Sequence, residues 1–184
     1  MLIQEGLSQL KVLRKRIADT NLQLSQYSAW NNKRNHPLGK VGVDDYSKKV
    51  AEEAVRSLFQ KSKDLIDRFL KLKYAIELTN MQTEIEVAGW TMTISEALII
   101  KREVVHQYEA VLDSIDTSLR AAISNVEYYN RDVEISKDAK ADVWYLIQQK
   151  DIEEIRKFTQ EFLEEVDAKL QIANATTHLI GIEE

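Results

Sequence analysis

This sequence predicts a mainly α fold, an elongated antiparallel helical bundle or coiled coil of about four long helices with a short central β-hairpin. Three observations lead there. Only one proline and five glycines punctuate 184 residues, whereas sheet-rich folds need many turns. Apolar residues recur at three- and four-residue steps over most of the chain, the spacing of one helix face. Once, near the middle, the period drops to two across an Ala-Gly pair, which is the hairpin pattern.

The first helix is expected over about 3–29, on Ile3, Leu7, Leu10, Leu13, Ile17, Leu24 and Tyr27. The segment 30–43 holds the proline and two of the glycines and reads as the longest loop. Asp44 or Asp45 is a suitable N-cap for a second helix, expected over 44–79 on Tyr46, Val50, Ala54, Leu58, Leu65, Phe69, Leu72 and Ile76. At ~1.5 Å per residue such a helix is on the order of 50 Å long, so it needs a partner helix of similar length. Residues 83–93 alternate as a hairpin around Ala88-Gly89, and Thr93-Ile-Ser-Glu96 has the form of a capping box. The third helix, expected over 94–126, carries Ile94, Leu98, Lys101, Val105, Tyr108, Leu112, Ile115, Leu119, Ala122 and Val126 in strict alternation of four and three. That is the spacing of a coiled-coil seam. Residues 128–135 read as a possible short strand beside the hairpin. A fourth helix is expected over 140–173, with Trp144 as a packing residue on it.

Composition narrows function more by exclusion than by assignment. Hydrophobic residues make up 44% and charged residues 30%, the balance of a folded chain. Cysteine is absent, which removes disulfides, thiolate nucleophiles and cysteine-ligated zinc. Charges interrupt every apolar run, so no membrane span or targeting segment is expected and cytoplasmic residence is the default. The net charge of −5 disfavours nonspecific nucleic-acid binding by the chain as a whole, so no nucleic-acid partner is expected. Charge is uneven, however: residues 1–50 hold nine Lys/Arg against four acids, and 151–184 hold nine acids against three bases. Complementary helices, within a chain or between subunits, account for this. A basic N-terminal patch for an anionic ligand is the sharper alternative.

Lys101 is the residue most out of place, since burying an unpaired ammonium at a seam position is costly. Either its stem covers the seam while the amine reaches water or an acid, or it meets an anion together with Arg102. Lys33 and Arg34, with Trp30 and His36, mix bases and an aromatic in the 30–43 loop, a combination that can stack on and pair with a nucleotide; an ordinary solvated loop is the plainer reading. Glu103-Val-Val-His106 has the Glu-x-x-His spacing of di-iron bundles, but those need two such motifs and two further Glu residues. The sequence also holds no Ser/His/Asp order, GxSxG or phosphate-binding glycine loop, so no metal, cofactor or catalytic residue is expected.

Asn80-Met-Gln-Thr83, then Gly89-Trp-Thr-Met-Thr-Ile-Ser-Glu-Ala-Leu98 followed by Lys101, resembles the septicolysin-like family of small bacterial helical proteins. The C-terminal run from Leu163 to Leu179 is similar to that family's ending. Ala175 and Lys101 depart from the residues usual there, Trp and Arg. The family has no assigned activity, and a chain without cysteine cannot be thiol-activated. The resemblance implies that Asn80, Thr83, Thr93, Asn174 and Thr177 gather near Lys101, capping helix ends, holding the hairpin or lining a small polar pocket. Trp90 on the hairpin reads as a packing residue, with contact to a ligand as the sharper alternative.

The leading expectation is a non-enzymatic helical homo-oligomer acting as a binding or assembly module, with a protein partner. The alternatives are a small anionic-ligand binder, such as a protein that sequesters a nucleotide signal, and a virion or other structural component.

Overall fold

A computed structural model describes residues 1–29, 48–136 and 140–182. Among them the fold is mainly α, with four long helices and one two-stranded antiparallel sheet. Lys33, Arg34, Trp30 and His36, with the rest of the 30–43 loop and the caps Asp44 and Asp45, lie outside the described residues. The chain divides into two units, Met1–Asn80 with Ala173–Glu184, and Met81–Ile172.

In the first unit α1 (Ile3–Tyr27) packs on α2 (Lys48–Gln82). The Gly6 side of α1 meets Ile76, Arg14 lies over the Phe69 ring, and Asn21 accepts from the Ser62 hydroxyl. As the α1 number rises the α2 number falls, so the two helices run antiparallel. Ile3, Leu10, Leu65, Leu72 and Ile76 are the buried faces. A Cβ on Gly6 would come within 2.8 Å of Leu179 and 3.3 Å of Ile76, so the missing side chain lets the tail approach. The tail is tied to the start of the chain by backbone hydrogen bonds from Ile3 to Thr177 and from Leu179 to Met1, around a single bridge between Leu2 and His178.

In the second unit β1 (Glu84–Val87) and β2 (Trp90–Thr93) pair in the register Glu84 to Thr93 through Val87 to Trp90. The turn residues Ala88 and Gly89 both have positive φ, 51° and 77°. A two-residue type I′ turn requires this, because its twist matches that of the strands. The capping box forms: the Glu96 N–H donates to the Thr93 hydroxyl, and the Glu96 carboxylate accepts from the Thr93 N–H. Ile94 N–H bonds to the Thr83 carbonyl, closing the base of the hairpin.

The third helix departs from expectation at two places and the fourth at one. The third is not one continuous α-helix: α3 (Ile94–Ile99) gives way to a π-helical turn (Ile100–Val104) before α4 (Val105–Ser136). There the Val105 N–H reaches back five residues to Ile100. Residues 128–135 are helical, not a strand, and the helix continues past 126. Extending an existing ladder costs far less than starting a strand, and this outweighs the β preference of Tyr128 and Tyr129. The fourth helix, expected from 140, begins only at Gln149, as α5 (Gln149–Thr176). The Asn130 amide holds both backbone groups of Ala141, accepting from its N–H at 2.9 Å and donating to its carbonyl at 3.0 Å. Those groups are then lost to a helix, and 141–147 is irregular. Trp144 accordingly lies off the helix and is 81% exposed, not packed.

α4 and α5 also run antiparallel, linked by Arg156 to Asp116 at 3.3 Å and by the edge contact of Tyr108 with Phe158. Phe162 and Val166, fully buried, centre the core of this unit with Val87, Ile94 and Val105.

Candidate functional site

The residues singled out by sequence fall on both units. Thr83, Trp90, Lys101 and Arg102 belong to the second, and Asn80, Asn174 and Thr177 to the first.

In the second unit α5 supplies the groups that receive the hairpin and the π turn. Glu165 accepts from the Ala88 N–H at 2.9 Å, fixing the turn from outside. Lys101 Nζ forms an ion pair with Asp167, with the lysine side chain about one-third exposed. A π turn takes in one residue more than an α turn, and here Lys101 reaches an acid instead of sinking unpaired into the seam. Its charge is matched within the chain, while Arg102 next to it is exposed. Trp90, 63% exposed, meets the Phe158 ring edge-on at 5.9 Å, and Phe158 stacks on Phe162 at 5.8 Å. The hydrogen bonds from Thr93 hold the Glu96 carboxyl below its ordinary value. These polar groups are engaged in holding the hairpin. Among the described residues no three of His, Asp and Glu converge as metal ligands would; His106 of the Glu-x-x-His spacing sits 3.1 Å from Glu109.

In the first unit, Thr177 acts through its backbone, which receives Ile3 and donates to Ala173. Asn80 is 93% buried, and its side-chain carbonyl has no hydrogen-bond partner. The key polar side chain here is Thr79, which sequence reasoning missed: it is fully buried and bonded to both Ala75 and Ile180.

The other feature missed is a second apolar face on α2. Phe59, Ile66, Leu70 and Tyr74 are 58%, 47%, 64% and 68% exposed. At 100° per residue they fall within about 80° of arc, on the order of 130° from the buried Leu65, Leu72 and Ile76. The four-residue spacing of 66, 70 and 74 was the available signal. It was masked by a stronger stripe on the same helix. Charges flank it symmetrically about Leu70: Lys63 and Glu77 stand seven residues to either side, and Asp67 and Lys73 three residues to either side. Lys63 also lies 6.0 Å from the Phe59 ring centroid.

No helix among the described residues is long and apolar enough to cross a membrane. No family model, curated protein or solved structure matches the chain.

Proposed function

We propose that this protein is a non-enzymatic helical assembly module whose copies join through the outward apolar stripe of α2. The observation that carries this is the charge order around Leu70. If two α2 helices lie antiparallel with Leu70 on the two-fold axis, Lys63 comes level with Glu77 of the other copy, and Asp67 with Lys73. Ile66 then faces Tyr74, and Leu70 faces itself. A parallel pairing would set every like charge against its twin, which is unfavourable. An isologous interface of this kind is self-complementary and closes at two copies. The exposed Lys73–Glu77 pair within one helix is no obstacle, since such pairs contribute only ~0.3–0.5 kcal/mol.

Apolar side chains this exposed and this aligned are uncommon on a monomer surface. The same reading accommodates a structural component of a larger particle, in which the dimer is the repeating unit. The reading keeps the cytoplasm as the default location, and keeps the septicolysin-like likeness, carried by Asn80–Lys101 and by Leu163–Leu179, with no activity attached. Sedimentation velocity tests it. The wild-type chain is expected to sediment as a dimer at micromolar concentration and Leu70→Asp as a monomer with an unchanged helical spectrum. A wild-type monomer throughout the range would refute the reading.

A further inference from the structure

A cleft of about 750 Å³ opens on the first unit where α1, α2 and the C-terminal tail meet. Its volume is in the range of small-molecule sites. Leu13, Leu72, Leu78 and Ile180 give it an apolar floor, and its charged side chains are Arg16 from α1 with Arg68 and Lys71 from α2. No acid is among the described residues lining it. None of these three cations is ion-paired with a described residue, in contrast to Lys101, whose charge Asp167 answers.

The cations are not scattered. Arg68 and Lys71 are three residues apart on one helix and so are neighbours. In the antiparallel register set by Arg14 over Phe69, Arg16 lies within a turn of their level. Leu78 lies ten residues beyond Arg68 on α2, or about 15 Å along the axis, and Ile180 comes from the tail. The three cationic side chains therefore gather toward one end of the cleft, and the apolar side chains of Leu78 and Ile180 lie toward the other, which Met1 also borders.

We propose that this cleft binds a medium-chain fatty acid or an equivalent acyl carboxylate. The carboxylate sits on Arg16, Arg68 and Lys71, and the tail runs along the apolar floor toward Leu78 and Ile180. Guanidinium groups suit a carboxylate because they donate two parallel hydrogen bonds to it. A nucleotide fits less well, since a base needs several donors and acceptors at its edges, and among the described residues lining the cleft Gln9 and Tyr74 are the only neutral polar side chains.

The test is calorimetric titration of the full chain with dodecanoate below its micellar concentration, with dodecanol as the uncharged match. Saturable binding of the acid is expected, with the alcohol weaker by about tenfold or more, the effect of charge-assisted hydrogen bonds. The variant Arg16→Gln/Arg68→Gln/Lys71→Gln, all on exposed positions, is expected to keep its melting temperature and to lose that preference. Leu78→Glu is expected to weaken both ligands. Failure of dodecanoate to saturate, equal affinity for acid and alcohol, or unchanged binding by the triple variant would each overturn the proposal. Tyr74 borders both the cleft and the proposed dimer seam, so the titration is repeated on Leu70→Ser, a neutral change at the seam: dodecanoate binding retained by that chain separates the cleft from self-association, and its loss would overturn the proposal.

Discussion

The Thr79 hydroxyl, fully buried near the end of α2, donates to the Ala75 carbonyl at 2.7 Å and accepts from the Ile180 N–H at 2.9 Å. One oxygen thus satisfies a local helix carbonyl and ties down a tail residue 101 positions away. Thr79→Val keeps the shape and removes the acceptor, leaving the Ile180 N–H without its partner. It is expected to destabilise by about 1–2 kcal/mol, while Thr79→Ser, which keeps the hydroxyl, should lose less. Urea denaturation of the three chains orders them, and equal midpoints for Val and wild type would remove Thr79 from the account.

The hairpin turn makes a prediction of opposite sign. Ala88 holds φ at 51°, a conformation that costs an L-residue with a Cβ roughly 1 kcal/mol. Asn tolerates it and is favoured before Gly in type I′ turns. Ala88→Asn should stabilise by about 0.5 kcal/mol, with the bond from the residue-88 N–H to Glu165 retained. Gly89→Ala, placed at φ 77°, should destabilise by about 1 kcal/mol. Thermal melts showing no gain for Asn and no loss for Ala would mean that the turn differs from type I′.

Acid should loosen the start of α3. Glu96 is held below its ordinary value by the Thr93 N–H and then by the Thr93 hydroxyl. A carboxyl whose pKa is lowered on folding stabilises the fold above its unfolded value. That contribution is lost as pH falls through the folded value. Wild type minus Glu96→Gln should therefore show a stability difference at neutral pH that vanishes in acid. The group is fully solvent-facing, so the effect is small, and melting curves recorded across that pH span are the measurement. A difference constant with pH would contradict it.

What could be read from sequence was local. The hairpin, its Ala88-Gly89 turn and the Thr93–Glu96 capping box depend on residues within a few positions of one another, and all three formed. The misreadings depended on distant partners. Nothing near Ala141 announces that Asn130 will occupy its backbone and delay α5. The seam through Lys101 has the same letters whether or not a π turn interrupts it, and only Asp167, on another helix, shows where the ammonium goes. Thr79 looked like one more residue at the end of a helix because its second partner lies in the tail. On α2 the buried stripe was legible, but two apolar faces on one helix blur each other, so Ile66, Leu70 and Tyr74 passed unread.

Pairing of α2 with itself about Leu70 is the central claim, and the absence of cysteine provides a direct test. Leu70→Cys places a single thiol on the proposed two-fold axis, while Lys61→Cys places one elsewhere on the exposed surface of the same helix. The measurement is the fraction of covalent dimer formed under mild oxidation at micromolar protein, read on a non-reducing gel. The account predicts rapid, near-complete cross-linking of Leu70→Cys and little of Lys61→Cys. Equal slow cross-linking of the two, or none at position 70, would contradict it.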